Sequence, residues 1–184
     1  MRLVDFIEAN FITKTDKYDL GYIHSFYDEL FTPRQDTAKH VLEIGIYRGD
    51  SIRLWQQYFH KAEIIGVDVN QCPALEGLKR VKQVTENAYS KEFVSKLEPK
   101  FDIIIDDGPH TFESMVFFLE NYVPLLADGG VLILEDIIDP SWTPKLLELV
   151  PDRLTQVYDM RGKQKNAHLL DLWKNGLDVI VISE

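Results

Sequence analysis

The spacing of apolar residues changes near residue 40 of this 184-residue chain. Before that point, apolar side chains recur at helical spacing in residues 2–9 and 18–31, which predicts two amphipathic helices. Beyond it, short apolar runs alternate with amphipathic stretches, as is typical of strands alternating with helices. Strands are predicted at Val41–Ile44, Glu63–Val67, Val81–Thr85, Asp102–Ile105, Val131–Leu134, Leu154–Tyr158 and Val179–Ile182. Helices are predicted at Asp50–Phe59, where Asp50 or Ser51 would be the cap, and at Pro73–Lys79, Ser90–Leu97, Thr111–Leu126 and Thr143–Leu149.

This alternation predicts an α/β fold with a Rossmann-like, doubly wound sheet that is mostly parallel. The last two strands have no long helix between them, so we expect an antiparallel pair that gives the sheet an antiparallel edge strand. The length suits one domain over residues 1–184, with a helical N-terminal extension (1–39) before the core (40–184). Residues 160–176 are predicted to form a connecting loop or hairpin.

Composition and charge exclude several classes of partner. The net charge of −10 and the pI of about 4.9 argue against a broad surface for nucleic acid or anionic membranes, because phosphates require a basic stripe. The longest apolar stretches, of about six residues, are too short to span a membrane, and the N-terminus lacks the apolar region of a signal peptide. The single cysteine, Cys72, excludes a disulfide framework, so a reducing, cytoplasmic location is expected.

Two predicted strands end in carboxylates, in the segments FDIIIDDGPH (101–110) and GGVLILED (129–136). If these strands are neighbours, one edge of the sheet carries Asp106, Asp107, Glu135 and Asp136, with His110 beside them. Acids that close together need a cation, a proton or a cationic ligand between them. Oxygen ligands without thiolates suit a hard cation, Mg²⁺ first, with Mn²⁺ or Ca²⁺ as alternatives.

The segment VLEIGIYRG (41–49) reads as a strand that runs into a glycine-bearing turn, where open α/β sheets bind ligands. The spacing Glu43-x-Gly45-x-x-x-Gly49 is not the dinucleotide fingerprint, and Glu43 disfavours a phosphate. Asp68, 23 residues after Gly45, ends the next strand, where a carboxylate typically accepts the ribose hydroxyls of an adenosine. An adenosine ligand without pyrophosphate is therefore expected. S-adenosylmethionine fits, with Asn87 placed to contact adenine.

Simpler interpretations of both motifs remain open at this point. A glycine-bearing turn can be no more than a tight turn between a strand and a helix. Asp-Gly-Pro-His can be a turn before a helix that Thr111 caps, with the acids acting on the helix dipole. The histidines His24, His40, His60 and His168 fit surface or packing positions better than ligand positions.

The chain resembles the class I S-adenosylmethionine-dependent methyltransferases. More narrowly, it resembles the metal-dependent macrolide sugar O-methyltransferases (mycinamicin and macrocin type) and their cephalosporin hydroxylase-like relatives. The resemblance covers nearly the whole chain, and the motif Asp-Asp-Gly-x-His with the later Glu-Asp pair is its most specific part. The matching segments are Thr15-Asp-Lys17 with His24 and Tyr27, Leu42–Ser51, Gly66-Val-Asp68, Ile105–His110, Pro124–Gly130 and Glu135-Asp136.

The resemblance implies a seven-stranded sheet in which strands four and five are adjacent. It also implies roles: Asp107, Glu135 and Asp136 would bind the metal, His110 would be the general base, and Asp139 is a candidate outer ligand. Asp106 would face the cofactor or the sheet interior. The cofactor-binding residues expected from the motifs together are Thr15, Lys17, Glu43, Gly45, Gly49, Ser51, Asp68, Asn87 and Asp106.

The sequence departs from the family pattern in a few places. Pro109 stands where serine is usual before the histidine, and Lys14 where glycine usually opens the N-terminal motif. The chain is shorter than the macrolide enzymes, so a more open pocket is expected and no macrolide is implied.

The function expected from these observations is Mg²⁺-dependent O-methylation of a hydroxyl on a sugar or glycosylated small molecule, in natural product biosynthesis. A catechol-type O-methyltransferase and a non-catalytic S-adenosylmethionine-binding protein are the alternatives, and the glycine spacing disfavours a nicotinamide-dependent oxidoreductase. The expected partner is a small sugar-like acceptor, with no nucleic acid and no membrane. A homo-oligomer is left open.

Overall fold

The computed structural model of the chain describes residues 1–10, 12, 14–163 and 177–183. The loop expected at 160–176 is therefore described only as far as residue 163, and the rest of it, including His168, lies outside the described residues. Within the described ranges, no helix combines the length and the apolar character that a membrane crossing requires.

A seven-stranded sheet in the order β3-β2-β1-β4-β5-β7-β6 forms the centre of the fold. Its first five strands are parallel, whereas β7 runs antiparallel to both β5 and β6. This arrangement confirms the predicted α/β class, the adjacency of strands four and five, and the antiparallel pair at one edge. The strands are β1 (His40–Ile44), β2 (Glu63–Asp68), β3 (Val81–Thr85), β4 (Phe101–Asp106), β5 (Leu126–Ile137), β6 (Leu154–Asp159) and β7 (Asp178–Ser183).

The helices agree with the predicted pattern in order but differ in extent. They are α1 (Leu3–Asn10), α2 (Asp16–Asp19), α3 (Asp28–Phe31), α4 (Asp50–Tyr58), α5 (Lys91–Val94), α6 (Phe112–Tyr122) and α7 (Trp142–Leu147), with a π-helical turn (Ile23–Tyr27) leading into α3. The helix predicted at Pro73–Lys79 is wrong in extent, because the structure has only a 3₁₀ turn at Pro73–Leu75. Gly77 beyond it has a φ of 74°, a left-handed conformation that cannot continue a right-handed helix. Neither Asp50 nor Ser51 caps α4. The N-cap is Gly49 in the left-handed conformation.

Alternate residues of the central strands pack into two cores, one on each face of the sheet. Ile103 and Ile105 of β4 belong to the first core, which also contains the N-terminal helices and α4. Ile104 belongs to the second, together with α6. The N-terminal extension therefore covers one face of the sheet, and the side chains of Lys17, Tyr22 and Tyr27 are buried beneath it.

The register of the strands places their carboxyl ends at one level. Ile44 at the end of β1 pairs with Asp106 at the end of β4, and Asp106 pairs with Leu134 of β5. The residues that follow, Gly45, Asp107 and Glu135, are consequently brought side by side. This is the edge at which open α/β sheets bind ligands.

Candidate active site

Two adjoining cavities open at the carboxyl edge of the sheet. Cavity A, of about 580 Å³, lies over β2 and β3, and cavity B, of about 400 Å³, lies under the N-terminal extension. They share a wall made of Gly45, Tyr47, Asp107 and Gly108. Cavity A is also lined by Val67, Asp68, Asn87, Ala88 and Tyr89, and cavity B by Thr15, Asp16, Ser51 and His110.

Asp68 both lines cavity A and supports the glycine turn. Its Oδ2 accepts hydrogen bonds from the backbone N–H groups of Ile46 at 2.9 Å and Tyr47 at 3.3 Å, and its Oδ1 accepts one from Asn70 at 2.8 Å. Burial alone would raise the pKa of Asp68, but these backbone donors lower it below its ordinary value. The predicted ribose-binding carboxylate is therefore ionised, and it holds the turn in shape.

Gly45 allows the turns after β1 and β4 to touch, and Gly108 leaves room for the hydroxyl of Tyr89. A Cβ on Gly45 would lie 1.8 Å from the carbonyl oxygen of Asp107, and one on Gly108 would lie 1.9 Å from the hydroxyl of Tyr89. Real Cβ atoms never come that close to another heavy atom, so a side chain at Gly45 would push apart the two turns that form the shared wall.

We expect Gly45→Ala to lower the free energy of unfolding by about 3 kcal/mol or more, because it adds a backbone clash to the strain of an alanine at a φ of 91°. Gly77→Ala is the matched control, since Gly77 has a φ of 74° but no atom lies within 4 Å of the position that a Cβ would take there. Gly77→Ala should lower the free energy of unfolding only by the cost of the backbone strain, about 1 kcal/mol. Urea unfolding measures both, and equal losses would show that the close approach at Gly45 has no energetic importance.

Asp107 and His110 line cavity B, and Asp136 lies next to them behind its wall. One potential ligand atom from each lies within 4.8 Å of the others. His110 Nε2 is 3.6 Å from Asp107 Oδ1 and 3.8 Å from Asp136 Oδ2. Both His110 and Asp136 have positive φ angles, 53° and 55°, a strained backbone that typically persists where function requires it.

Lys17 fills the space behind these residues. Its side chain is 1% exposed, and Nζ lies 2.6 Å from Asp107 Oδ2, 2.5 Å from Glu135 Oε2 and 3.4 Å from Glu43 Oε1. Burial would lower the pKa of Lys17, but the surrounding carboxylates outweigh burial and the pKa lies well above its ordinary value. The inner part of the site therefore contains a permanent positive charge.

Three tyrosines orient the remaining carboxylates. The hydroxyl of Tyr27 donates to Glu135 Oε1, that of Tyr22 to Asp136 Oδ1, and that of Tyr89 to Asp106 Oδ1. Burial raises the pKa of Asp136 to about 6 against the opposing effect of His110, and raises that of Asp106 to about 7 against the opposing bond from Tyr89. Such pKa values in one cleft are typical of a functional site.

The comparison with known protein families decides what kind of site this is. A profile described as a methyltransferase domain matches residues 42–137, just over half of the chain, and this range contains the glycine turn, Asp68 and both acidic strand ends. The chain belongs to the methyltransferase family. The match confirms the resemblance and the predicted enzyme class, the S-adenosylmethionine-dependent methyltransferases.

Several curated relatives of this methyltransferase are named as O-methyltransferases, and one of these names includes a rhamnosyl group. Demethylmacrocin O-methyltransferase of Streptomyces fradiae is 30% identical over 135 residues, which cover 66% of this chain and 34% of the relative. A rhamnosyl tetracenomycin-C 2'-O-methyltransferase of Streptomyces olivaceus is 28% identical over 140 residues, which cover 70% of this chain and 36% of the relative. The chain thus spans about a third of the length of these relatives.

Solved structures of other methyltransferases have a similar fold. MycE, a methyltransferase from the mycinamycin biosynthetic pathway solved with Mg and S-adenosylhomocysteine, matches with a TM-score of 0.66 at 25% identity, over 79% of this chain and 39% of its own. The O-methyltransferase from Bacillus cereus, solved with S-adenosylhomocysteine, matches with a TM-score of 0.65 over 99% of this chain and 89% of its own. At 14% identity, that second likeness shows the fold alone.

The site residues expected from the sequence of the methyltransferase fall into two groups. Those on the cavity walls are Thr15, Gly45, Ser51, Asp68, Asn87, Asp107 and His110. Those behind the walls are Lys17, Glu43, Gly49, Asp106, Glu135 and Asp136. Asp139, expected as an outer ligand, instead accepts a bond from the backbone N–H of Ser141 and is not in the converging group.

Residues in the second group support the walls through other side chains. Gly49 begins α4, Asp106 accepts from Tyr89, and Glu43 accepts from Trp55 Nε1 at 2.8 Å. Sequence reasoning missed Tyr22 and Tyr89 entirely. Tyr22 lies on a predicted amphipathic helix, where no local pattern indicates that its hydroxyl reaches a carboxylate 114 residues away.

Glu43 gives the methyltransferase a measurable pH dependence. Burial raises its pKa to about 7, although Lys17 opposes the rise. Between the ordinary value of 4.5 and about 7, the folded state therefore holds a proton that the unfolded state has released. Folding stability contributed by this proton is present below pH 4.5 and is lost as the pH rises through 7.

We expect Glu43→Gln to remove this contribution, so that the stability difference between variant and wild type grows in favour of the variant by up to about 3 kcal/mol as the pH rises. Urea unfolding in EDTA-containing buffers between pH 4.5 and 8 would measure it. Glu63→Gln, an exposed change on β2, serves as the control and should show no comparable trend. A constant difference for Glu43→Gln at all pH values would contradict the prediction.

Proposed function

We propose that this methyltransferase transfers a methyl group from S-adenosylmethionine to a hydroxyl of a sugar or glycosylated small molecule, with a divalent cation bound beside the acceptor. The observation that supports this most directly is the convergence of Asp107, His110 and Asp136 at cavity B, with Asp107 also forming the wall of cavity A. A methyl donor in one cavity would meet an acceptor in the other at this wall.

Cavity A suits the adenosine part of the cofactor. Val67, Ala88 and Tyr89 offer apolar surface to a base, Asn87 offers an amide, and Asp68 offers an ionised carboxylate to ribose hydroxyls. The absence of lysine and arginine from the described lining of cavity A agrees with a cofactor that has no phosphate. S-adenosylmethionine supplies an electrophilic methyl group on a sulfonium.

The donor set at cavity B fits a hard divalent cation. Asp107 Oδ1 and Asp136 Oδ2 both face His110, and one ligand atom from each of the three residues lies within 4.8 Å of the others, which suits a shared divalent cation. Oxygen ligands favour Mg²⁺ over the softer metals. Asp107 and Asp136 would hold the ion, and Glu135, the third ligand expected from the resemblance, adds charge from behind. Mg²⁺ bound there would lower the pKa of an acceptor hydroxyl and orient it.

His110 is proposed as the general base. Its imidazole lines cavity B, it is about one quarter exposed, and Nε2 faces the two aspartates. A base in that place can accept the proton of a hydroxyl that enters from cavity B while the oxygen faces the shared wall.

Cavity B favours a sugar hydroxyl over a catechol. Apart from the imidazole of His110, Tyr47 is the aromatic side chain among its described lining residues, and 79% of Tyr47 is exposed. Polar groups such as Thr15, Asp16 and Ser51 form much of the remaining wall and match a hydroxyl-rich acceptor. The name of one relative, a rhamnosyl tetracenomycin-C 2'-O-methyltransferase, points the same way. We also propose a cytoplasmic location and small molecules as partners, in keeping with the charge of −10.

Calorimetry and a turnover assay together test the proposal. We expect S-adenosylmethionine and S-adenosylhomocysteine to bind and NAD not to bind. We then expect S-adenosylhomocysteine to be released with a panel of methyl glycosides and aryl glycosides when Mg²⁺ is present, and EDTA to stop its release. Failure to bind either adenosyl compound would refute the function, turnover unaffected by EDTA would remove the metal, and turnover of catechols alone would replace the acceptor class.

A further inference from the structure

Neither the proposed methyl transfer nor the cofactor cavity uses the buried ammonium of Lys17 directly. Lys17 is carried on α2, whereas its three carboxylate partners come from β1, the turn after β4, and β5. It lies at 1% exposure and does not line either cavity. Burying a lysine is costly unless paired charges compensate, so its burial here indicates a function specific to this position.

The oxygens of the site are divided between the protein and the position that a cation would take. Lys17 holds Asp107 Oδ2, while Asp107 Oδ1 faces His110. Tyr22 holds Asp136 Oδ1, while Asp136 Oδ2 faces His110. The two oxygens of Glu135 are held by Lys17 and Tyr27. One oxygen of each aspartate is thereby offered outward, and Glu135 is kept inward.

The balance of charge in the site shows that Lys17 neutralises it only in part. The ammonium of Lys17 pairs with three carboxylates, those of Glu43, Asp107 and Glu135, and the carboxylate of Asp136 completes the acidic group. Asp107 is both a partner of Lys17 and a member of the group that would hold the divalent cation. Lys17 and the metal therefore draw on the same carboxylates, and each reduces the attraction that the other feels.

We propose that Lys17 is a built-in cation that shares Asp107 and Glu135 with the divalent cation and thereby weakens the binding of that cation. Lys17 is a positioning residue in this proposal: it keeps the carboxylates ordered when no metal is bound and keeps the metal exchangeable. The inference rests on the proposed function, since it concerns the cation of the same site.

Mn²⁺ titrations by calorimetry at pH 8 test this in the whole protein. Lys17→Met and Lys17→Gln remove the charge, and the glutamine retains a hydrogen-bond donor for Asp107 and Glu135. Both are expected to bind Mn²⁺ at least about tenfold more tightly than the wild type, because a unit positive charge a few ångströms from the ion has been removed. Lys14→Met, which removes the same charge from an exposed side chain of cavity B, should change the affinity less than about twofold.

A gain in affinity separates this role from a merely structural one, because general disruption of the site weakens binding. Thermal unfolding with and without Mn²⁺ is the second readout: the Lys17 variants should melt lower than wild type without metal and show a larger rise with it. Folded variants with unchanged or weaker Mn²⁺ affinity would overturn the proposal, as would variants that stay unfolded at millimolar Mn²⁺. If the wild type and all variants fail to bind Mn²⁺, the metal of the proposed function fails with it.

Discussion

His110→Ala is expected to reduce turnover by a factor of about 10² to 10⁴, the usual contribution of a positioned general base. The physical reason is that an acceptor hydroxyl attacks the sulfonium methyl poorly until it loses its proton. In the structure, His110 Nε2 lies 3.6 Å from Asp107 Oδ1 and 3.8 Å from Asp136 Oδ2, at the mouth of cavity B, where that proton would be taken up.

The cofactor should still bind to this variant. His110 lines cavity B and not cavity A, so the affinity for S-adenosylhomocysteine should change by less than about threefold, far below the effect on a proton transfer. The measurements are the release of S-adenosylhomocysteine with the best glycoside of the panel, and calorimetry. His60→Ala is the control, because His60 is exposed, pairs with Asp36 at 3.2 Å and lines neither cavity. Turnover of His110→Ala near the wild-type rate would mean that another group accepts the proton.

Asp136→Asn is expected to weaken Mg²⁺ or Mn²⁺ binding by at least about 10- to 100-fold. Substitution of residues that only hydrogen-bond to a metal ligand already costs that much affinity. The substitution keeps the shape of the side chain and an oxygen that can accept a hydrogen bond from Tyr22. It removes the negative charge of Asp136, whose Oδ2 faces His110. Turnover at limiting Mg²⁺ should fall in proportion, while S-adenosylhomocysteine binding in EDTA should stay near normal.

Loss of fold is not expected to explain this result. Burial raises the pKa of Asp136 to about 6, so an ionised Asp136 is unfavourable in the metal-free protein at neutral pH and a neutral asparagine relieves it. Asp128→Asn is the matched control, because Asp128 is an exposed residue at the other end of the same strand, β5. Calorimetric titration of both variants with Mn²⁺ measures the difference, and an unaltered affinity in Asp136→Asn would exclude Asp136 as a ligand.

The parts of the site that the sequence predicted are those that depend on strand ends. Asp68, Asp107 and Asp136 each follow or end an apolar run, and parallel strands with helical connections bring their carboxyl ends to one edge. Gly45 was predicted from its place in the turn, and the structure adds the reason, a contact with the carbonyl of Asp107 that leaves no room for a Cβ.

Other parts depended on distant contacts that local patterns do not encode. The helix predicted after β2 is shorter than expected because Gly77 has a positive φ. Strand β5 is longer than predicted because it pairs with both β4 and β7. The burial of Lys17 is the clearest case, since a lysine between two predicted helices is ordinarily exposed. Only the three carboxylates from β1, the turn after β4 and β5 make its burial tolerable.

By itself, then, the sequence determined the α/β class and the acidic ends of the strands that lead to Asp107 and Asp136, because these follow from local periodicity and from residue types at strand ends. The family resemblance supplied the expectation that these two strands are neighbours and that His110 lies beside them. Only the tertiary structure decided which carboxylate oxygens face the cavity and which face inward. That division is set by Lys17, Tyr22 and Tyr27, whose partners lie 90 to 118 residues away in the chain. Contacts at that separation form only when the N-terminal extension packs on the sheet.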